Sequence, residues 1–455
     1  MADEFYDVVV CGAGMAGIAT AYSLSVNYQK RVLLIDAGAP LSLTSDKSTE
    51  CYRNWWGGPD NAMLSLMNRS ITLMEEHAVE SDNSFLMRPH GYLFATKNKE
   101  EIDRVYQQAK EAESLGAGPL REIVKLSDYK PSNFENPVSD QDGSDLITSK
   151  EIINALFPYL NKDTVAVLHA RRCGSLSAQQ LGMYLLEKAR EKNCDFQTGK
   201  FIGIETSRGQ VSSVKIEQDG MVTSITTDAL VLAPGPHLRK TLDIVGLDLP
   251  VQVEKHVKIS LPDALGIVPR DAPLIIWNDP IDLPWTEEEK SHLAGAPETE
   301  WLLRTFPPGV HGRPIGAGNQ VLMYWTYDCK ATTYPEFPIE WDPYLPDVTL
   351  RGMAVMVPGL EKYFDPMPRP YVDGGYYTKT EENRPLIGPL KIPGAFICGA
   401  FSGFGIMSAC GAGELLAQHV TNTDLPDYSD AFLPSRYDDP LYRKEIKKWI
   451  VDGQL

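Results

Sequence analysis

Gly12, Gly14 and Gly17 stand in a G-x-G-x-x-G spacing between an apolar run ending at Cys11 and an alanine-rich run. The first glycine permits a tight turn, the second lets a pyrophosphate approach the backbone, and the third lets helix and strand pack closely. Backbone amides around Ala13, Met15 and Ala16 then face phosphate oxygens. Asp36 ends the next apolar run, with Ala37 beside it, where a carboxylate accepts hydrogen bonds from ribose hydroxyls. The chemistry implied is dinucleotide binding, and the motif alone leaves NAD and FAD both open. A second glycine-rich turn, Gly399-Ala400-Phe401-Ser402-Gly403-Phe404-Gly405, leads into a helical run at Ile406 and Met407. Such a turn presents backbone N–H groups and the positive end of a dipole, which suits the negative charge of a reduced flavin.

Other reactive side chains form no recognisable cluster. None of the eight histidines pairs at the i, i+3 or i, i+4 spacing of helical metal ligands, so no metal site is expected. The seven cysteines are scattered, odd in number and without a CxxC pair, which argues against a disulfide framework and for a reducing, cytoplasmic setting.

Elements must position these groups. Residues 6–36 read as a strand, a glycine turn, a helix and a second strand. Helices are expected near 60–77, 99–114, 177–192 and 406–420. Strands are expected at 91–95, 200–218, 229–233, 321–327 and 395–398. Between about 246 and 370 prolines and aromatic residues crowd in and the alternating pattern stops. This suggests a discontinuous dinucleotide-binding domain (1–85, 165–245 and 365–425), a substrate domain (86–164 and 246–364) and a polar surface tail (426–455). With 455 residues the chain exceeds what one core usually supports, so two packed domains are expected. The net charge of -18 works against nucleic acid or anionic membrane as a partner. No stretch reaches the roughly 18 apolar residues of a membrane span, and the acidic start of the chain does not read as a signal peptide.

Residues 376–416 carry a further pattern. Thr378 to Gly388 is similar to T-x-D-x-x-P-x-I-G, and Gly399 to Gly405 is similar to G-x-S-G-H-G. With the N-terminal Gly-Ala-Gly-Met-Ala-Gly and the middle Asp228-Ala229-Leu230-Val231-Leu232-Ala233-Pro234-Gly235, the chain resembles the D-amino-acid oxidase superfamily over nearly its whole length. The resemblance is to the branch of sarcosine oxidase, glycine oxidase and dimethylglycine dehydrogenase. It implies a mixed α/β fold: a Rossmann-like FAD-binding domain of the glutathione reductase type with an antiparallel-sheet substrate domain. It also implies FAD contacts from Ser45, Ser48 and Thr49, from Phe201 and Ile202 at the adenine, from Ala233, Pro234 and Gly235 at the phosphates, from Arg384, and from Ser402 through Met407.

Phe404 replaces the histidine of that family motif, and Met407 replaces the lysine with which sarcosine oxidases bind a substrate carboxylate. The cysteine that tethers their flavin has no counterpart near Gly375, so the FAD is expected to be non-covalent. The resemblance implies oxidation of a C–N bond in an amine, amino acid or N-substituted amino acid, with O2 or another acceptor taking the electrons. Arg53 sits where relatives place a carboxylate-binding arginine, whose planar fork makes two parallel hydrogen bonds; a surface salt bridge is the alternative. Arg313 and the strand carrying Tyr324 fall on the substrate side, as an aromatic cage or as core. His256 stands between proton handling and a structural role. A disulfide reductase would need a CxxxxC and a flavin monooxygenase a second glycine fingerprint; both are missing. A dehydrogenase, a flavin enzyme for a non-amine substrate and a binding protein with structural FAD stay open, as does the oligomeric state.

Overall fold

Residues 5–449 are described by a computed structural model. Val8, Val9 and Val10 are fully buried, because the strand Phe5–Cys11 lies at the centre of a sheet covered on both faces. It pairs in parallel with Val32–Asp36 and with the twelve-residue strand Met221–Leu232; Cys194–Thr198 extends the parallel run. The long strand divides its outer edge. Its first half pairs antiparallel with Gln210–Gln218, and its end pairs in parallel with Ala395–Gly399. That pairing brings the two ends of the chain together, so both glycine-rich turns open on one rim of the sheet.

Helix Gly405–Thr421 packs on helix Met15–Tyr22 at a backbone approach only glycine permits: a Cβ at Gly413 would lie 2.6 Å from the carbonyl carbon of Ala19. Gly411 plays the same part against helix Ala62–Glu80, where its Cβ would lie 3.0 Å from the carbonyl oxygen of Leu66.

The second sheet has ten strands and is largely antiparallel, with two parallel pairs. At one end Gln252–Pro262 runs between Gln320–Tyr324 and Tyr371–Lys379. Ala166–Ala170 and Tyr371–Lys379 hydrogen-bond into this sheet, although the sequence placed both with the dinucleotide-binding elements. Both connect across long sequence separations that local patterning does not reveal. The aromatic strand stops at Tyr324, before Trp325 and Tyr327. A small ribbon, Cys51–Arg53 against Cys173–Ser175, forms a third sheet. Among the described residues no helix is long and apolar enough to cross a membrane, and no group of three metal-ligating side chains converges.

Residues 426–449 are not a surface tail, and the rest of the expected tail lies outside the described residues. Phe432, Tyr437 and Ile446 are buried, and Arg436 donates to the buried Glu382 at 2.8 and 3.0 Å, joined there by the hydroxyls of Tyr437 and Tyr442. Charges spaced along a polar stretch hide such pairing until the partner at residue 382 is known.

Two predictions follow from this packing. Arg436→Gln leaves the Glu382 charge buried without its cation, at a cost of about 3–5 kcal/mol, and should lower the melting temperature by several degrees. Calorimetry should show the Arg436→Met/Glu382→Leu double variant recovering most of that loss; a double variant as unstable as the single one refutes the pairing argument. Burial also pushes the imidazoles of His90 and His311 down to about 4. Both bind protons more readily in the unfolded chain, at about 6.5, so their stabilising effect is complete above that pH and lost as pH falls toward the folded value. The melting temperature should therefore decline between about pH 6.5 and pH 5, less steeply in His311→Gln; identical slopes would exclude His311 as a source.

Candidate active site

The fingerprint turn is built by close contacts. Gly12 has φ +110°, and a Cβ there would lie 2.2 Å from the carbonyl oxygen of Ala233; one at Gly17 would lie 1.8 Å from the carbonyl oxygen of Gly12. Gly14 instead faces a cleft. A Cβ there would fill the rim 3.2 Å from Ser45 Oγ, which accepts from the Met15 amide at 3.1 Å. Asp36 accepts from the amides of Ala13 at 2.7 Å and Gly38 at 2.8 Å, with the exposed Ala37 between them in the turn. Part of its hydrogen-bonding capacity thus shapes the turn. Gly199 donates to the Asp36 carbonyl at 2.7 Å and so brings residues 200–207 alongside. There Phe201 is buried in the core and Ile202 is half-buried.

The cleft, open to solvent on one side, spans about 640 Å³. Met15 and Ala16 close one wall, Ser45 and Ser48 a second, Ala233 and Gly235 a third, with Pro234 carrying the turn between the last two. At its far end lie Ser402, Gly403, Gly405 and Ile406, at the start of the seventeen-residue helix. Two amides of that turn are spent internally: Ser402 donates to the Thr378 carbonyl at 2.7 Å, and Phe404 to that of Phe401 at 2.8 Å. The anion-facing donors are therefore those of Gly403 and the first helical turn, whose amides lack intrahelical partners.

A second, smaller cavity adjoins the first; Ser48, Tyr377 and Gly403 line both. Arg53, Thr49, Tyr92, His311, Tyr324 and Met407 line it too. The Arg53 guanidinium is buried 4.5 Å over the Trp56 ring and 5.9 Å from that of Tyr92. Trp56 is fixed in turn by its indole N–H on the Arg53 carbonyl, at 3.2 Å, and by an edge contact 4.5 Å from Phe404. Phe404 thus props the aromatic stack under the arginine and lines neither cavity. Its aromatic character was legible, but that support across 348 residues of sequence was not. His311 Nδ1 lies 2.8 Å from the Gly309 carbonyl, an acceptor only, which places the proton on Nδ1 and leaves Nε2 an acceptor.

Three expected site residues stand elsewhere. Arg313 lines neither cavity: it donates to the carbonyls of Thr49 at 2.8 Å and Pro314 at 3.0 Å, with Glu50 at 3.7 Å, and so braces the segment that carries Ser48. Arg384 points away to Asp60 at 2.5 Å and lies 4.6 Å over Trp449. His256 lies behind the wall, stacked 4.1 Å from Tyr377 and hydrogen-bonded to the Tyr324 hydroxyl. Tyr92, His311 and Tyr377 were not singled out from the sequence; of these only Tyr377 adjoins a motif. The glycine cradle, the helix start at each end and the cleft between them fit a bound dinucleotide.

The family model for FAD-dependent oxidoreductases of the DAO type matches residues 7–419. Sarcosine oxidase subunit beta of Rhodobacter capsulatus is 25% identical over 256 residues, spanning 53% of this chain and 58% of that protein. The fold is that of L-proline dehydrogenase from P. horikoshii (TM-score 0.72, 19% identity, covering 96% of this chain and 98% of that one). It is equally that of glycine oxidase from Bacillus cereus (TM-score 0.69, 14% identity, covering 94% and 98%). With the match running from the first strand to the last long helix, the chain belongs to the DAO family of FAD-dependent oxidoreductases.

Proposed function

We propose that this protein oxidises the C–N bond of a small amino acid or N-substituted amino acid. The observation that carries the reading is the junction at Ser48, Tyr377 and Gly403, where the pocket of the buried Arg53 opens onto the FAD cleft. FAD, when bound, supplies a two-electron acceptor. The chain's part is to bind, orient and keep out water. Arg53, preset by stacking on Trp56, takes the substrate carboxylate in parallel hydrogen bonds. Tyr92, Tyr377 and Met407 give the pocket apolar surface and exclude water. His311, neutral and with Nε2 an acceptor, can receive a hydrogen bond from a substrate N–H. Gly403 and the first turn of helix Gly405–Thr421 set positive charge where the reduced cofactor becomes negative.

Non-covalent FAD is part of the proposal. Gly375 has no thiol, and Cys398, at the cleft, is pushed up to about 12 by burial, so its reactive thiolate is suppressed. Seven cysteines without a disulfide support a reducing, cytoplasmic setting. The reoxidant is O2 or another acceptor.

The test is anaerobic mixing of the holoprotein with a panel of amines and of L-, D- and N-methyl amino acids, watching the visible flavin band. A carboxylate-bearing amine should bleach it, and Arg53→Met should lower kcat/KM for that substrate at least about a hundredfold, from two lost charge-assisted bonds of about 1.5–3 kcal/mol each. Bleaching by hydroxy acids alone overturns the amine reading. Admitting air after bleaching separates an oxidase, which recovers its colour at once, from a dehydrogenase. Acid precipitation should leave the flavin in the supernatant; colour in the pellet contradicts non-covalent binding.

A further inference from the structure

The second cavity has a polar exit through its wall. Tyr324 lines the pocket, and its hydroxyl meets Nδ1 of His256, whose side chain is 2% exposed. His256 Nε2 lies 3.4 Å from Glu254 Oε2, and Lys379 Nζ reaches the same oxygen at 3.0 Å. The Glu254 and Lys379 side chains are 16% and 13% exposed, so the row ends where solvent begins. Its geometry follows from strand periodicity. Glu254 and His256 are two apart on one strand, Tyr377 and Lys379 two apart on the next, with Glu254 in register with Tyr377. Four side chains therefore stand on one face of two paired strands, with Tyr324 from the strand on the other side.

The partners settle which ring nitrogen carries the proton. The Tyr324 phenol and the Cys329 thiol, 3.5 Å away, both bring a donor to Nδ1, whereas Glu254 offers Nε2 only an acceptor. His256 is thus a neutral imidazole with its proton on Nε2, aimed at a carboxylate. Burial holds the imidazole below its ordinary pKa against the pull of Glu254. Burial would raise the Glu254 carboxyl, but its hydrogen bonds to His256 and Lys379 outweigh that and leave it below its usual value. The hydrogen bonds therefore run in one sense, from the Tyr324 hydroxyl to His256 Nδ1 and from Nε2 to Glu254.

We propose that Tyr324, His256 and Glu254 form a proton relay that takes the nitrogen-bound proton of the substrate out of the pocket to the solvent edge of the second sheet. The inference rests on the amine reading and deepens it. The ammonium N–H bond breaks and its proton bonds to the Tyr324 oxygen; the phenolic proton moves to His256 Nδ1 and the Nε2 proton to Glu254. The nitrogen keeps the electron pair, no group is oxidised or reduced, and solvent then takes the proton from Glu254. Tyr324 meets the substrate; His256 and Glu254 act through it. Tyr377, stacked on the imidazole at 4.1 Å, holds the ring in line. Among the groups facing His256 are Glu254 on its own strand, Tyr324, Tyr377 and Lys379 on the neighbouring strands, and Cys329 on the loop beyond.

The test has two arms. In the first, 15N-histidine NMR of the holoprotein without substrate reads the tautomer, with the His256 resonance assigned by its loss in His256→Gln. A neutral Nε2–H ring, with an Nδ1 shift displaced in Tyr324→Phe, is expected; a cationic or Nδ1–H ring overturns the relay whatever the protein oxidises. In the second, anaerobic flavin reduction is followed against pH with the amine that bleaches the wild type. The wild-type rate should hold below the amine's own pKa. In His256→Gln and Glu254→Gln it should fall about tenfold per pH unit, because only free base then reacts. Glu254→Gln keeps an acceptor for Nε2–H, and flavin content and melting temperature confirm that each variant is folded. Profiles that superimpose on the wild type refute the relay while leaving amine oxidation standing. If no amine reduces the flavin, the relay falls with the amine reading.

Discussion

The segment from Thr44 to Arg53 presents Ser45 and Ser48 to the FAD cleft and Arg53 to the second cavity, and its only regular structure is a single 3-10 turn at Thr44–Asp46 and the short strand Cys51–Arg53. What fixes it is a clamp from the second sheet. Lys258, on strand Gln252–Pro262, donates to the carbonyls of Asp46 at 2.9 Å and Ser48 at 2.8 Å, and Arg313 donates to that of Thr49. Lys47 bridges Asp46 and Asp373, each at 3.1 Å, and the Thr44 hydroxyl donates to the Tyr376 carbonyl at 2.9 Å. Burial pulls the Lys258 ammonium below its ordinary pKa, opposed by Glu50, Asp373 and Asp46, and its bonds to two carbonyls replace lost hydration. Charge-assisted bonds of this kind are strong and directional. They let one sheet place a loop along the cleft of the other, so the two cavities meet at Ser48.

The same dependence explains what sequence could and could not disclose. The fingerprint is legible because its causes are local: Gly12, Gly14 and Gly17 act within a few residues of one another, and Asp36 returns to cap the same turn through the Ala13 amide. The second glycine turn is legible as a helix start. Its donor inventory is not, because Ser402 spends its amide on Thr378, a partner set by a strand crossing. Arg313 and Arg384 carry the residue type of a ligand-binding group and lie near the right motifs, yet carbonyls in one case and Asp60 in the other claim their guanidinium groups. Residue type gives the capacity for a contact; long-range pairing decides who receives it. The reassignment of Ala166–Ala170 and Tyr371–Lys379 to the second sheet has that same origin.

The departures from the family motif are also coherent with one another. Phe404, where relatives carry histidine, meets Trp56 edge-on, and Trp56 holds the guanidinium of Arg53 over its face. Aromatic pairs and cation–π contacts in buried positions contribute on the order of 1–2 kcal/mol each, enough to keep a long flexible side chain in one rotamer. The motif position carries a support in place of a polar group, and the cation at the cavity is Arg53.

Met407, where a lysine would sit in sarcosine oxidases, makes that exchange decisive for charge balance. Of the described residues lining the pocket, Arg53 carries the formal charge, since His311 is held neutral by burial. A zwitterionic amino acid entering such a pocket has its carboxylate matched and its ammonium unmatched, and an unpaired buried ammonium is heavily penalised by desolvation. Loss of one proton removes the conflict, leaving one cation, one anion and a neutral amine with the lone pair that C–N oxidation needs. A zwitterionic substrate in such a pocket would need a route for that proton, which the polar side chains behind Tyr324 would supply.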